Sequence, residues 1–167
     1  MSTKDFLKKI KDEDIEYVDV RFTDTRGKLQ HVTIVSDLVD EDFVEEGFMF
    51  DGSSIAGWKS IEASDMKLML DTDTAYVDPF YAEKTICVHC SVVEPDTGEA
   101  YERDPRGTAQ KAEAYLKASG IGDVAYMGPE AEFFLFDNVK FSNSINKVSY
   151  EVDASDASWN TDTDYEM

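Results

Sequence analysis

The first hundred residues pass from a helical to a strand-like spacing of apolar positions. Ser2 is a suitable N-cap, and Phe6, Leu7 and Ile10 then form one apolar stripe, which predicts a short opening helix. From Glu16 onward apolar and polar residues alternate, which is typical of half-buried strands. The predicted strands are residues 18–22, 29–35, 67–70 and 85–93, the first two joined by a turn at 24–27. A small mixed sheet with a helix packed on it accounts for this region.

Two further segments have clear signals in this half of the chain. Residues 46–58 contain three glycines among aromatic residues, which favours an ordered loop. Asp104 is a suitable N-cap and Pro105 a suitable first residue for a second helix, which Gly120 ends. We expect its buried face at Ala109, Ala112 and Leu116.

The last forty or so residues predict the start of a second sheet. Residues 127–136 alternate like a strand, and residues 139–141 and 148–152 suggest a hairpin beyond it. Residues 153–167 are polar and acidic, without periodicity or a capping signal. These elements are too few to close a core.

Composition and charge narrow the class of protein. Of the 167 residues 42% are hydrophobic, which favours a folded domain over disorder. The 36 acidic and 16 basic residues give a net charge of −20, which argues against nucleic acid or an anionic membrane as partner. No apolar stretch approaches the roughly 20 residues of a membrane span, and the N-terminus lacks a secretory signal. We therefore expect a cytoplasmic protein.

Cys87, His89 and Cys90 invite comparison with a metal or redox motif. They lie in a predicted strand, where residues three apart point to opposite faces of the sheet. The two cysteines are therefore poorly placed to bind one ion. His89 is better interpreted as a surface or half-buried strand residue.

The most informative acidic pair is Glu130 and Glu132. Two residues apart on a strand, they share a face with Cα atoms roughly 7 Å apart, so each could bind one of two neighbouring metal ions. Oxygen ligands suit Mg²⁺ or Mn²⁺. Spacing alone leaves open, and even favours, solvent-facing glutamates on an edge strand.

A second candidate is the run Phe50-Asp-Gly-Ser-Ser54. Asp51 could accept a proton, Gly52 permits close backbone approach to a ligand, and Ser53 and Ser54 offer hydroxyl groups. Residue chemistry alone favours an ordinary Asp-Gly turn whose serines cap nearby backbone groups.

These motifs make the chain similar to the N-terminal part of bacterial type I glutamine synthetases. Residues 50–54, followed after eight residues by Ala63-Ser-Asp65 and then Leu68, resemble the family's N-terminal signature. Residues 127–137 resemble its first metal-binding strand, and residues 103–106 resemble the start of its catalytic domain. The likeness runs essentially from end to end.

The resemblance implies an α+β fold. It places a β-grasp domain at residues 14–98, followed by the incomplete start of the glutamine synthetase catalytic domain at residues 104–167. It also implies an ATP-dependent glutamate–ammonia ligase, which makes glutamine from glutamate, ammonium and ATP through γ-glutamyl phosphate. The family forms double-ring dodecamers and uses Mg²⁺ or Mn²⁺.

The resemblance also implies roles for individual residues. Glu132 matches a ligand of the metal near the glutamate site, and Glu130 matches a ligand of the metal that bridges the ATP phosphates. Asp51 matches the aspartate that binds and deprotonates ammonium, with Ser54 beside it and Trp58 in the adjacent loop. In the family this loop completes the active site of a neighbouring subunit.

The chain departs from the family in its length. It ends before the family's remaining metal ligands, ATP-contacting residues and substrate-binding arginines, so we expect the 167-residue chain alone to be inactive. We also expect Phe133 and Leu135 to be exposed. Two other hypotheses are a noncatalytic β-grasp module for interaction or assembly, and a stand-alone protein that binds divalent cations.

Overall fold

The computed structural model describes residues 1–161 and divides the chain into two compact units, with the boundary between residues 125 and 126. Helices α1 to α4 span Thr3–Asp12, Glu41–Glu46, Pro105–Ser119 and Ser158–Thr161. Strands β1 to β7 span Tyr17–Thr23, Leu29–Val35, Phe48–Asp51, Asp65–Val77, Thr85–Val93, Asn138–Ser144 and Lys147–Asp153. Within residues 1–161, no helix combines the length and the apolar character needed to cross a lipid bilayer.

The first unit is built on one mixed sheet of five strands. Its order is β2-β1-β5-β4-β3, in which β1 and β5 run parallel and the other neighbours run antiparallel. The predicted turn between β1 and β2 is confirmed: Gly27 has a φ of 81°, and the Asp24 carboxylate accepts the backbone N–H groups of Arg26 and Lys28 at 2.8 and 3.0 Å.

The apolar face of this sheet packs against α1 and forms the hydrophobic core. The Ser2 hydroxyl accepts the Asp5 N–H at 3.1 Å, which confirms the predicted N-cap, and α1 buries Phe6 and Ile10. The sheet contributes fully buried side chains to the same core: Val18, Val20, Met66, Leu68, Ile86, Val88 and Val92. Alternation along each strand places these residues on one face and leaves polar residues on the other.

A network of hydrogen-bonded charges lies on the opposite face. The Asp19 side chain is fully buried; its carboxylate lies 2.6 Å from Arg21 Nε and 2.8 Å from His31 Nδ1, and it accepts the Thr33 hydroxyl at 2.7 Å. Arg21 also contacts Asp78 at 3.0 Å. Burial by itself would raise the pKa of Asp19, but the hydrogen bonds from Arg21, His31 and Thr33 outweigh it and lower the pKa.

Two elements in the first unit were not predicted. Helix α2 begins after Asp40, whose carboxylate accepts the Phe43 N–H at 2.8 Å, and its six residues are too few to show a helical period. The segment predicted to be an ordered loop contains β3, because Phe48 and Phe50 alternate with exposed residues and pair with β4. Strand β4 is also much longer than the predicted residues 67–70.

The predicted buried face of α3 is wrong. Ala109 and Ala112 are exposed and Leu116 is half-buried, whereas Gly107, near the start of the helix, is buried. An apolar stripe is buried only where another surface covers it, and in the first unit it is the N-terminal end of α3 that reaches the sheet. The Asp104 N-cap and the αL conformation of Gly120 at the end are confirmed.

In the second unit the predicted hairpin is confirmed, but the predicted strand before it is wrong. Strands β6 and β7 pair with each other as a two-stranded sheet. Residues 127–136 form neither helix nor strand, since none of the described strands pairs with them and an unpaired ladder is not stable. The short helix α4 lies in the tail for which no structure was predicted, and residues 162–167 of that tail lie outside the described residues.

We expect Asp19→Asn to lower the free energy of unfolding by about 3 kcal/mol at pH 7, because Arg21 loses a buried charge partner. The folded-state pKa of Asp19 is lowered, so its stabilisation is present above the ordinary aspartate pKa of about 3.9 and is lost as pH falls through the folded value. Urea unfolding should therefore show that the difference in the free energy of unfolding between the unmodified chain and Asp19→Asn becomes smaller below about pH 4. Asp123→Asn, at an exposed position, is the control; an Asp19 difference that stays constant between pH 7 and pH 3 would contradict the assignment.

Candidate functional site

The structure divides the four candidate residues between the two units. Asp51 and Ser54 lie close together in the first unit, at the end of β3. Glu130 and Glu132 lie in the second unit.

Asp51 presents an exposed carboxylate held by its own loop. One carboxylate oxygen accepts the Ser53 N–H at 2.8 Å and the Ser53 hydroxyl at 2.6 Å, and the other accepts the Ser54 hydroxyl at 3.3 Å. These hydrogen bonds, above all those from Ser53, lower the pKa of Asp51. The carboxylate is therefore charged at neutral pH, and the oxygen with the long hydrogen bond has capacity for a cationic ligand.

Gly52 sets the loop tightly against β4. Its N–H donates to the Ser64 carbonyl at 2.7 Å, and a Cβ at this position would lie 2.4 Å from Met66 Sδ and 2.7 Å from Met66 Cγ. The close approach that the sequence indicated at Gly52 is thus an approach to Met66. Because glycine has no Cβ, the turn after Asp51 can pack directly against the core residue Met66.

Trp58 ends this loop in a cluster of aromatic rings. Its side chain is 5% exposed, and its ring centroid lies 5.5 Å from Phe22, 6.3 Å from Phe50 and 5.2 Å from Tyr101. Sequence reasoning placed Trp58 in the loop but missed its partner Tyr101, because the two are far apart along the chain. No spacing or periodicity signals such a contact.

Glu130 and Glu132 lie in an exposed segment of the second unit. The Phe134 and Phe136 rings stack with their centroids 6.2 Å apart. At the end of this segment, therefore, these two alternate side chains lie on the same side of the backbone. Phe133 and Leu135 are 78% and 79% exposed, as expected. Within residues 1–161, no three histidine, cysteine, aspartate or glutamate side chains gather in a way that could hold a metal ion.

The glutamates therefore offer the right atoms for a hard cation but an incomplete set of them. Carboxylate oxygens suit Mg²⁺ or Mn²⁺, which take about six ligands. Two carboxylates fall well short of that number, so other groups are needed to complete a metal site.

Cys87 and Cys90 lie on opposite faces of the sheet, as the strand geometry predicted. Both thiols are free and buried; Cys90 belongs to the core, and Cys87 lies on the polar face beside Asp19 and Asp78. Burial raises the pKa of Cys87 to about 11 and that of Cys90 to about 12. Both thiols are therefore protonated at neutral pH, and a protonated thiol is a poor nucleophile.

Comparison with known proteins identifies the family. Residues 14–95 match the family model described as the glutamine synthetase beta-Grasp domain, and residues 102–166 match that of the glutamine synthetase catalytic domain. The chain belongs to the glutamine synthetase family. Its α+β fold is accordingly a β-grasp domain followed by the start of a glutamine synthetase catalytic domain.

Bacterial glutamine synthetases are similar over almost all of this chain. The protein of Cereibacter sphaeroides is 74% identical over 98% of the chain, and that of Rhodobacter capsulatus is 69% identical over 99%. The chain spans only 35% and 38% of the length of these two relatives.

A solved structure shows the same fold. The cryo-electron microscopy structure of Plasmodium falciparum glutamine synthetase matches with a TM-score of 0.69 and 23% identity, over 92% of this chain and 30% of that one.

We expect Ser53→Ala to raise the pKa of Asp51 toward the ordinary aspartate value, because the carboxylate loses its shortest hydrogen bond. An NMR titration of the Asp51 side-chain carboxyl carbon measures this directly. Ser60→Ala is the matched control, since the Ser60 side chain is exposed and makes no capping hydrogen bond. An equal pKa of Asp51 in both variants would show that the Ser53 hydroxyl does not lower it.

Proposed function

We propose that this chain is the N-terminal part of a glutamate–ammonia ligase, which makes glutamine from glutamate, ammonium and ATP through γ-glutamyl phosphate. The observation that carries the proposal is the Asp51 carboxylate: in a chain of the glutamine synthetase family, it is exposed, charged and held in a fixed turn. A single anionic group in such a turn is suited to a small cation.

Asp51 would bind ammonium and take its proton, with Ser54 beside it. Ammonium is protonated at neutral pH and has no lone pair, so it cannot attack an acyl phosphate until one N–H bond breaks. One proton passes to the carboxylate, and the freed lone pair forms the C–N bond as the bond between the acyl carbon and the phosphate oxygen breaks. The departing phosphate takes the second proton, which leaves the neutral amide. Because the pKa of Asp51 is lowered, this carboxylate holds a cation better than it holds a proton, and proton transfer has to accompany the attack.

Glu130 and Glu132 would each contribute one ligand to a metal ion. We assign Glu132 to the ion near glutamate and Glu130 to the ion beside the ATP phosphates, by their resemblance to the family's metal-binding strand. Mg²⁺ or Mn²⁺ at these positions would neutralise charge on the transferred phosphoryl group. Their exposure and their oxygen-only chemistry support the proposal.

The family also suggests the setting of this activity. We propose a cytoplasmic homo-oligomer, a dodecamer in its complete form, in which the Asp51 loop, residues 52–58, completes the site of a neighbouring subunit. The proposed domain boundaries are residues 14–98 and 104–167. The net charge of −20 argues against a nucleic-acid or anionic membrane partner.

Neither rival hypothesis gains support. Both matching family models belong to glutamine synthetase, which gives the assembly-module hypothesis no separate basis. A stand-alone cation-binding protein needs a group of ligands, and the described residues contain no such group of three.

The purified 167-residue chain should form no glutamine. Its described residues gather no complete set of metal ligands, so phosphoryl transfer has no site here. The measurement is glutamine formation with ATP, glutamate, ammonium and Mg²⁺, with a complete bacterial synthetase as the positive control. Glutamine formed at a rate dependent on all three substrates would overturn this expectation.

In a complete synthetase chain that contains these residues, we expect Glu132→Ala to abolish turnover by weakening metal binding. His89→Ala should leave turnover nearly intact, since His89 is a half-buried strand residue of the first unit. Glu45→Ala, an exposed glutamate of α2, is the matched control for charge. Initial rates at varied Mg²⁺ provide the measurement, and equal losses from Glu132→Ala and His89→Ala would count against the assignment.

A further inference from the structure

We propose that Tyr101 and Arg103 are positioning residues, which hold the Asp51 loop through two backbone carbonyls at its far end. The Asp51 loop is here residues 52–58. The Tyr101 hydroxyl donates to the Trp58 carbonyl at 2.9 Å, and the Arg103 guanidinium donates to the Gly57 carbonyl. This role rests on the ammonium-binding function proposed for Asp51.

The two ends of the loop are held in different ways. At the near end, Asp51 is part of β3, and the Gly52 N–H donates to the carbonyl of Ser64, the residue just before β4. At the far end, the Trp58 N–H donates back into the loop, to the Ile55 carbonyl at 3.1 Å. Gly57 has a φ of 80° and open space where a side chain would lie, so packing does not hold it in place. The Trp58 ring packs against Phe22 and Phe50, and the hydrogen bonds from Tyr101 and Arg103 add a direct hold on the backbone of this end.

Tyr101 is itself firmly attached to the sheet. Its side chain is 3% exposed, and its N–H donates to the Val92 carbonyl of β5 at 2.9 Å. Its carbonyl accepts the Asp104 N–H at 3.1 Å, while the buried Asp104 carboxylate accepts the Val92 N–H at 3.0 Å. Residues 101 and 104 thus form a small closed ring of hydrogen bonds with β5.

The Tyr101 hydroxyl is suited to donate a stable hydrogen bond to the loop. Burial raises the pKa of Tyr101, so the hydroxyl remains a donor at neutral pH. Its ring packs edge-on against Trp58 and lies 5.2 Å below the Lys59 ammonium, which is paired with Glu94 at 2.7 Å. Both the ring and the hydroxyl of Tyr101 therefore contact the loop at Trp58, and substitution by phenylalanine removes only the hydroxyl contact.

These contacts give the segment between the two matched domains a function. The β-grasp match ends at residue 95 and the catalytic-domain match begins at residue 102, so Tyr101 lies between them and Arg103 just beyond. Because both side chains bind the far end of the Asp51 loop, the position of that loop depends on where this connecting segment lies on β5.

The first test measures the loop in the 167-residue chain itself. In Tyr101→Phe we expect amide hydrogen exchange at Ile55 and Trp58 to be about fivefold faster, the usual effect of one lost hydrogen bond. Arg103→Met should have a similar effect and Arg103→Lys a smaller one, since lysine keeps a donor. Tyr115→Phe is the matched control, because Tyr115 is 76% exposed on α3. Unchanged exchange in both Tyr101→Phe and Arg103→Met would overturn the proposal.

The second test measures ammonium use in a complete synthetase chain that contains these residues. A displaced loop should raise KM for ammonium severalfold in Tyr101→Phe, while KM for ATP stays as in Tyr115→Phe. A purely structural role would lower the amount of active enzyme and leave both KM values unchanged, and that result would overturn the proposal.

Asp51→Asn separates this proposal from the function on which it rests. If this variant uses ammonium normally, the proposed function of Asp51 fails, and the positioning role fails with it. If Asp51→Asn loses ammonium use while Tyr101→Phe and Arg103→Met leave KM for ammonium unchanged, only the positioning role is overturned.

Discussion

The first unit depends on the burial of strand β5 between β1 and β4. Ile86, Val88 and Val92 are fully buried on its core face, and its backbone bonds to a parallel neighbour on one side and an antiparallel neighbour on the other. The parallel pairing joins β1 to a strand that begins about sixty residues further along the chain. The chain between them, which contains α2, β3 and β4, is therefore closed into a loop by this pairing. The core beneath α1 and the charged network around Asp19 both use this strand.

The position of the candidate site also depends on β5, through the intervening strand β4. Asp51 lies on the edge strand β3, which bonds only through β4 to β5. The residues just after β5 then return to the aromatic cluster around Trp58. An acidic residue at a sheet edge would ordinarily move with its loop. Here the nearby serine hydroxyls lower the pKa of Asp51, and contacts from distant residues hold its loop in place.

Much of the fold could be predicted where local pattern and tertiary structure agree. Strands β2 and β5 have the predicted bounds, and the Ser2 and Asp104 caps are where the sequence placed them, because capping and alternation are local properties. The pattern failed where burial depends on a partner: residues 127–136 alternate like a strand but pair with none of the described strands. In the site, the motif indicated Asp51 and Ser54. The hydrogen bonds of Ser53 and Tyr101 could not be predicted, because they depend on the turn geometry and on a contact between residues far apart along the chain.

The exposed apolar side chains of residues 133–136 affect how this protein behaves in solution. Phe133, Phe134 and Leu135 are each more than three-quarters exposed, on a backbone that pairs with none of the described strands, and this combination favours edge-to-edge association. The net charge of −20 opposes that association through mutual repulsion between molecules. Added salt screens the repulsion but leaves the apolar contacts, so the colloidal stability of this chain is tied to ionic strength.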